Sequence, residues 1–141
     1  MDTARLNLEK SVLQRYLPSN TYVFKDTSTS HPYVLMAAKT NRGNVYTIRI
    51  DLDEFPNDVP HAFVTKMLKT KAGKNMDGAS SSMHTLSSEH GYTRICHYGP
   101  SFWNPNVSIY KVYIKCRLWL EMYELHLQTG KPMDYWLNHQ S

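Results

Sequence analysis

The strongest constraint on the fold lies between Tyr33 and Leu52. Two stretches with strand chemistry, residues 33–39 and 44–52, are joined by Asn41-Arg42-Gly43-Asn44. Asn and Gly reach left-handed backbone at little cost, so this tetrad reads as a tight reversal. In the second stretch Val45, Thr47, Arg49 and Asp51 alternate with Tyr46, Ile48, Ile50 and Leu52, the period of two of a half-buried strand. Residues 21–25 supply an earlier strand and residues 61–65 a short later one. Between them, Phe55-Pro56-Asn57-Asp58-Val59-Pro60 interrupts pairing twice, because proline donates no ladder hydrogen bond. The expectation is a four-stranded antiparallel meander rather than a parallel, doubly wound sheet.

Helical spacing flanks this meander. Leu6, Leu8, Val12, Leu13 and Leu17 recur at near-helical intervals over residues 4–17, and Pro18 closes the segment. After Trp103-Asn104-Pro105, residues 106–128 form the longest helical pattern. Val107, Tyr110, Ile114, Leu118 and Leu125, with Trp119 and Tyr123, are expected to make its apolar face. Thr129-Gly130-Lys131-Pro132 stops it, and a last short helix over residues 133–138 is expected to dock Tyr135, Trp136 and Leu137. Residues 66–82 interleave Lys66, Lys69, Lys71 and Lys74 with glycines and end in Gly78-Ala79-Ser80-Ser81-Ser82. They read as a mobile, basic surface insertion. The fold class is therefore α+β.

A chain of 141 residues with 41% hydrophobic and 12% aromatic content supports one packed domain spanning residues 1–141. No run approaches the roughly 18 apolar residues of a membrane span, and the first residues carry no export pattern. Two cysteines make no disulfide framework, so reduced thiols in a cytoplasmic protein are expected. The net charge of +4 fits a solvated basic face. A nucleic-acid partner is disfavoured, because the tyrosines near the basic loop form no regular stacking platform. No cofactor is expected. No phosphate-cradling Gly-x-x-x-x-Gly-Lys-Ser/Thr run is present, so the chain should not adenylate a substrate of its own.

The chemistry concentrates at Ile95-Cys96-His97-Tyr98. Cys96 lies in a polar, turn-rich stretch just before the long helix, where it is a nucleophile, a metal ligand or a small packing residue. Cys116 falls among the apolar positions of that helix and reads as core. His84, His90, Cys96 and His97 match no strong zinc spacing, and an adjacent Cys-His pair seldom reaches one ion, so no metal is assigned.

Taken in order, these pieces resemble the ubiquitin-conjugating (UBC) fold. Tyr46-Thr47-Ile48-Arg49-Ile50 followed by Phe55-Pro56 and Pro60 resembles the family's third strand and paired-proline turn. Ile95-Cys96-His97-Tyr98 resembles its Ile-Cys-Leu-Asp around the catalytic cysteine, and Trp103-Asn104-Pro105 its Trp-Ser-Pro. His84, twelve residues before Cys96, stands where the family has the histidine of His-Pro-Asn. The resemblance covers roughly residues 20 to 125. It implies an N-terminal helix, a four-stranded meander, an active-site segment without regular structure, a long crossing helix and a short C-terminal helix.

The resemblance further implies a transferase that carries a protein C-terminus as a thioester on Cys96 and passes it to an amine. His-Pro-Asn is replaced by His84-Thr85-Leu86, and a leucine cannot supply the asparagine's hydrogen bonds. Asn104 ranks first as the replacement donor, since it follows Trp103 in the turn expected to face the cysteine, with Tyr98 or a backbone N–H as the other candidates. His84 is read as bracing the active-site loop. His97 is read as pointing away, and Trp103 as a core anchor that also walls the site. These departures look like the divergent bacterial UBC-like proteins of antiphage operons built around a cyclic-oligonucleotide synthase. The carried partner implied there is a ubiquitin-like protein or the synthase, a nucleotidyltransferase, loaded either by a separate activating enzyme or by an unusual activation route. The competing reading is an inactive scaffold of the same fold that binds a partner protein.

Overall fold

The computed structural model describes residues 1–137. Helix α1 (Thr3–Tyr16) starts where the Asp2 carboxylate accepts the Ala4 N–H. It leads through a short 3-10 turn into strands β1 (Tyr22–Lys25), β2 (Tyr33–Lys39), β3 (Val45–Asp51) and β4 (Ala62–Val64). Strands β5 (Thr85–Glu89) and β6 (Tyr92–Ile95) follow, then helix α2 (Ile109–Thr129) and a 3-10 turn at Met133–Tyr135. The sheet is six-stranded and antiparallel in the order β1-β2-β3-β4-β6-β5.

Strands β1 to β4 lie side by side in chain order, but the sheet has six strands rather than the expected four, because the stretch expected to lack regular structure before Cys96 is a hairpin that extends it. Its loop is His90-Gly91, both with positive φ (59° and 74°), the geometry that matches strand twist in a two-residue turn. Residues 66–82 also differ from expectation. Their lysines are exposed, but the backbone is pinned and Leu68 and Met76 are buried. Thr93 Oγ1 accepts the Leu68 N–H and donates to the Met76 carbonyl. Tyr123 Oη donates to the Lys69 carbonyl, and His126 Nε2 accepts the Lys71 N–H. The terminal helix reduces to the 3-10 turn Met133–Tyr135, and Asn138 lies outside the described residues.

One sheet face packs on the helices. Val34, Met36, Ala38, Tyr46, Ile48, Ile50, Ala62, Val64 and Ile95 are buried with Leu13 of α1 and Ile109, Val112, Tyr113, Cys116, Trp119, Leu120 and Tyr123 of α2. The α2 face is rotated from the expected one, and Ile114 and Leu118 are exposed. The aromatic residues explain the choice of face. Tyr113 Oη donates to the Ala37 carbonyl and Trp119 Nε1 to the His84 carbonyl, so polar tips as well as apolar bodies set the rotation. Ser108 caps α2 through the Lys111 N–H, and Gly130 ends it in left-handed backbone. Buried Glu9 of α1 accepts the Ile109 N–H, while Arg5 pairs with Glu9 and donates to the Pro105 and Val107 carbonyls. The N-terminal helix thus holds the start of α2 in place. Among the described residues no helix is long and apolar enough to cross a membrane.

Candidate functional site around Cys96

Cys96 is the first residue beyond β6, and its N–H donates to the His84 carbonyl at 2.9 Å. The chain therefore stays in the β5–β6 ladder through the cysteine before turning away. Cys96 is half-buried. Burial pushes its thiol above the ordinary value, and the nearby Arg94 guanidinium opposes that rise. Cys116 is fully buried in α2, and burial pushes its thiol up to about 12. Of the two thiols only Cys96 offers accessible sulfur.

His84 braces this corner through its backbone. With φ at +52°, its carbonyl takes both the Cys96 N–H and the Trp119 indole N–H. Its buried ring donates from Nε2 to Asp134 at 2.8 Å, which ties the strand start to the C-terminal turn. His97 Nε2 donates to the Pro60 carbonyl at 2.8 Å, and its buried Nδ1 has no partner among the described residues. Burial holds the His97 ring neutral, with its pKa down at about 4.

Tyr98 is buried beneath the Lys115 ammonium, which sits 4.0 Å from the ring centroid. Trp103 packs edge-on against Tyr98 and Phe55, and its indole N–H donates to the Pro56 carbonyl at 2.9 Å. The Trp103-Asn104-Pro105 turn is thereby fastened to the proline turn, whose Phe55-Pro56 bond is cis. Asn104 is exposed, and its side-chain oxygen accepts the Asn106 N–H at 2.9 Å, so it stabilises its own turn. Leu86 pairs with Arg94 across β5 and β6 and brings no polar group to the corner. Cys96, His97 and Tyr98 are thus joined by backbone and ring contacts to His84, Trp103 and Lys115.

The outer sheet face holds residues that sequence reasoning missed. Asp51, Glu89, His61 and His90 line a cavity of about 320 Å³ together with Asp53, Glu54, Asp58, Val59 and Pro60. His61 Nδ1 donates to Glu89 at 3.0–3.1 Å, and His90 Nε2 to Asp51 at 3.0 Å. Arg49 and Arg94 pair with the same two carboxylates. The fully buried Phe63, on this face rather than in the main core, is covered by the His90 and Tyr92 rings. Finding this cluster from sequence requires the β5–β6 hairpin, which brings Glu89 and His90 to β3 and β4.

Ligand atoms of Asp51, Glu89 and His90 lie within 4.8 Å of one another. Each carboxylate is already neutralised by an arginine and bonded to an imidazole, so the group reads as an ion-pair network. In comparisons with known proteins, no family model matches the chain, and no curated protein or solved structure matches it.

Proposed function

We propose that the protein is a UBC-like acyl transferase, carrying a protein C-terminus as a thioester on Cys96 and passing it to an amine acceptor. The observation that carries this reading is the placement of Cys96. It is a half-exposed thiol one residue beyond the sheet, backed by its ladder bond to His84 and followed by the Trp103-Asn104-Pro105 turn that leads into α2. A helix, a meander in β1-β2-β3-β4 order and a paired-proline turn precede it.

Transfer needs a thiolate that attacks an activated carbonyl carbon, expels its leaving group and later leaves as the amine attacks. The raised pKa of Cys96 makes each thiolate a stronger nucleophile and keeps the resting population low. With no phosphate-binding loop in the chain, a separate activating enzyme supplies the acyl group. The partner is a ubiquitin-like protein or a nucleotidyltransferase C-terminus, and the setting is bacterial antiviral defence in the cytoplasm. Cys96→Ser tests the reading. The variant should trap the carried protein as an oxyester that resists thiol, whereas wild type forms a thiol-labile adduct. Failure of both proteins to form any adduct in the presence of the activating enzyme would refute it.

A second reading, an inactive UBC-like scaffold, draws on the absence of a side-chain donor at Leu86 and on the engagement of His97 with Pro60. It predicts equal partner capture by wild type and Cys96→Ala.

A further inference from the structure

The β4–β6 register extends one step past the paired residues to a meeting that sequence alone does not show. Ala62 faces Ile95 and Phe63 faces Arg94, so His61 faces Cys96. Two bonds fix the kind of pair. The Cys96 N–H is turned toward β5, where it reaches His84, and the His61 carbonyl is turned toward β3, where it accepts the Asp51 N–H. Neither group points across the β4–β6 gap, so His61 and Cys96 occupy a non-hydrogen-bonded position. There the side chains of an antiparallel ladder come closest, at about 4.5–5.5 Å between Cβ atoms. One residue further along, the His97 ring rather than its backbone N–H reaches the Pro60 carbonyl, so the paired ladder has ended there while the two segments stay within a side chain's reach.

Alternation puts His61, Phe63, Arg94 and Cys96 on the same sheet face, away from α2. The His61 ring is already oriented. Its Nδ1–H is held by the Glu89 carboxylate, which in the neutral ring leaves the lone pair on Nε2. Sγ and Nε2 are not hydrogen-bonded here and the ring leans to Glu89, so a side-chain rotation completes the thiol–imidazole–carboxylate arrangement that activates sulfur nucleophiles on unrelated folds.

We propose that His61 is the general base for Cys96 and that Glu89 positions it. In acylation the Cys96 thiol proton passes to His61 Nε2 as Sγ bonds to the carbonyl carbon of an activated acyl donor. The donor's bond to its leaving group breaks, and His61 returns the proton to that group. In transfer His61 takes a proton from the attacking amine, and Sγ leaves and is reprotonated. The second half rests on the carrier reading above, while the pairing of His61 with Cys96 does not. The base answers a need of the site, because burial raises the Cys96 thiol above its ordinary value. Other charged groups facing the pair are Arg94 on β6, Asp51 on β3 and His90 at the hairpin tip.

The test is the rate of Cys96 alkylation by iodoacetamide in the folded protein, followed by intact mass. At pH 7, His61→Asn should slow alkylation about tenfold or more, and Glu89→Gln by a smaller factor of about three. At pH 10, where the thiol ionises without help, the three rates should converge. Rates within twofold of wild type at pH 7 for a folded His61→Asn would overturn the proposal. If that variant fails to fold, an unchanged rate in Glu89→Gln does so. Slowed alkylation without any thioester adduct would sink the carrier reading and leave the dyad standing; an adduct with unchanged alkylation would do the reverse.

Discussion

Two cysteines and one histidine show how placement sets the chemistry of a single residue. Cys116 sits among Trp119, Leu120 and Tyr123 with no access to solvent, while Cys96 is half-exposed at the sheet end. Ellman's reagent should therefore titrate one thiol in the folded protein and two in guanidinium, and Cys96→Ala should abolish the folded-state reaction. His97 titrates with a definite sign. Its folded ring stays neutral down to about 4, whereas the unfolded ring takes a proton near 6.5. Between those values the unfolded chain binds more protons, so stability falls as pH drops, by up to about 1.4 kcal/mol per pH unit. His97→Gln keeps a donor for Pro60 and should remove that part of the slope in urea melts at pH 4.5, 5.5 and 6.5. A slope unchanged in the variant would show that His97 is not its source. Glu124 acts with the same sign. Burial would raise its carboxyl, but hydrogen bonding, seen in the Asn44 and Tyr46 donors to Oε2, outweighs it and holds the carboxyl below its ordinary value. Its contribution is complete above the ordinary carboxylate pKa and is lost as pH falls through the depressed one.

Individual elements were legible in proportion to the regularity of their patterns. The alternation at Val45–Asp51 marked β3, the Asn41-Arg42-Gly43-Asn44 turn placed it beside β2, and Gly130 marked the end of α2. The β5–β6 hairpin was hidden for physical reasons. Thr85–Glu89 has one large apolar residue, Leu86, and a register irregularity between Leu86 and Glu89 erases the period of two. Its turn also places His90 in left-handed backbone, where Asn or Asp is the usual signal. The α2 face was misphased because Leu118 and Ile114 look like core, whereas Tyr113, not expected there, turns inward beside the expected Trp119 and bonds the Ala37 carbonyl. The α1–α2 junction depends on Glu9, which no hydrophobic pattern reveals. Glu9→Ala strands the Ile109 N–H and leaves Arg5 only its Pro105 and Val107 carbonyl bonds, and should cost about 2 kcal/mol in chemical denaturation. A loss below 1 kcal/mol would mean that the helix junction finds other partners.

At the scale of the whole molecule, the sheet brings together what the sequence separates. Trp103 reaches back to Pro56, His97 to Pro60, and Glu89 to His61, so the proline turn and the β5–β6 hairpin converge on the strand end where Cys96 lies. The cysteine, its downstream turn and the crossing helix could be read from motifs; the imidazole opposite the sulfur required the six-strand order. Trp103→Phe keeps the ring contacts with Tyr98 and Phe55 and loses the bond to Pro56. It should therefore cost about 1 kcal/mol of stability. If this turn holds the cysteine corner in place, the variant should also slow loading of Cys96. The central claim, that Cys96 carries an acyl group, is tested most directly by intact mass of the protein isolated from its native cells, with Cys96→Ala and Cys116→Ala beside it. The account predicts an added protein mass on wild type and Cys116→Ala, absent from Cys96→Ala and released by hydroxylamine. An adduct that reductant removes and hydroxylamine does not, or no adduct on any of the three, would contradict it.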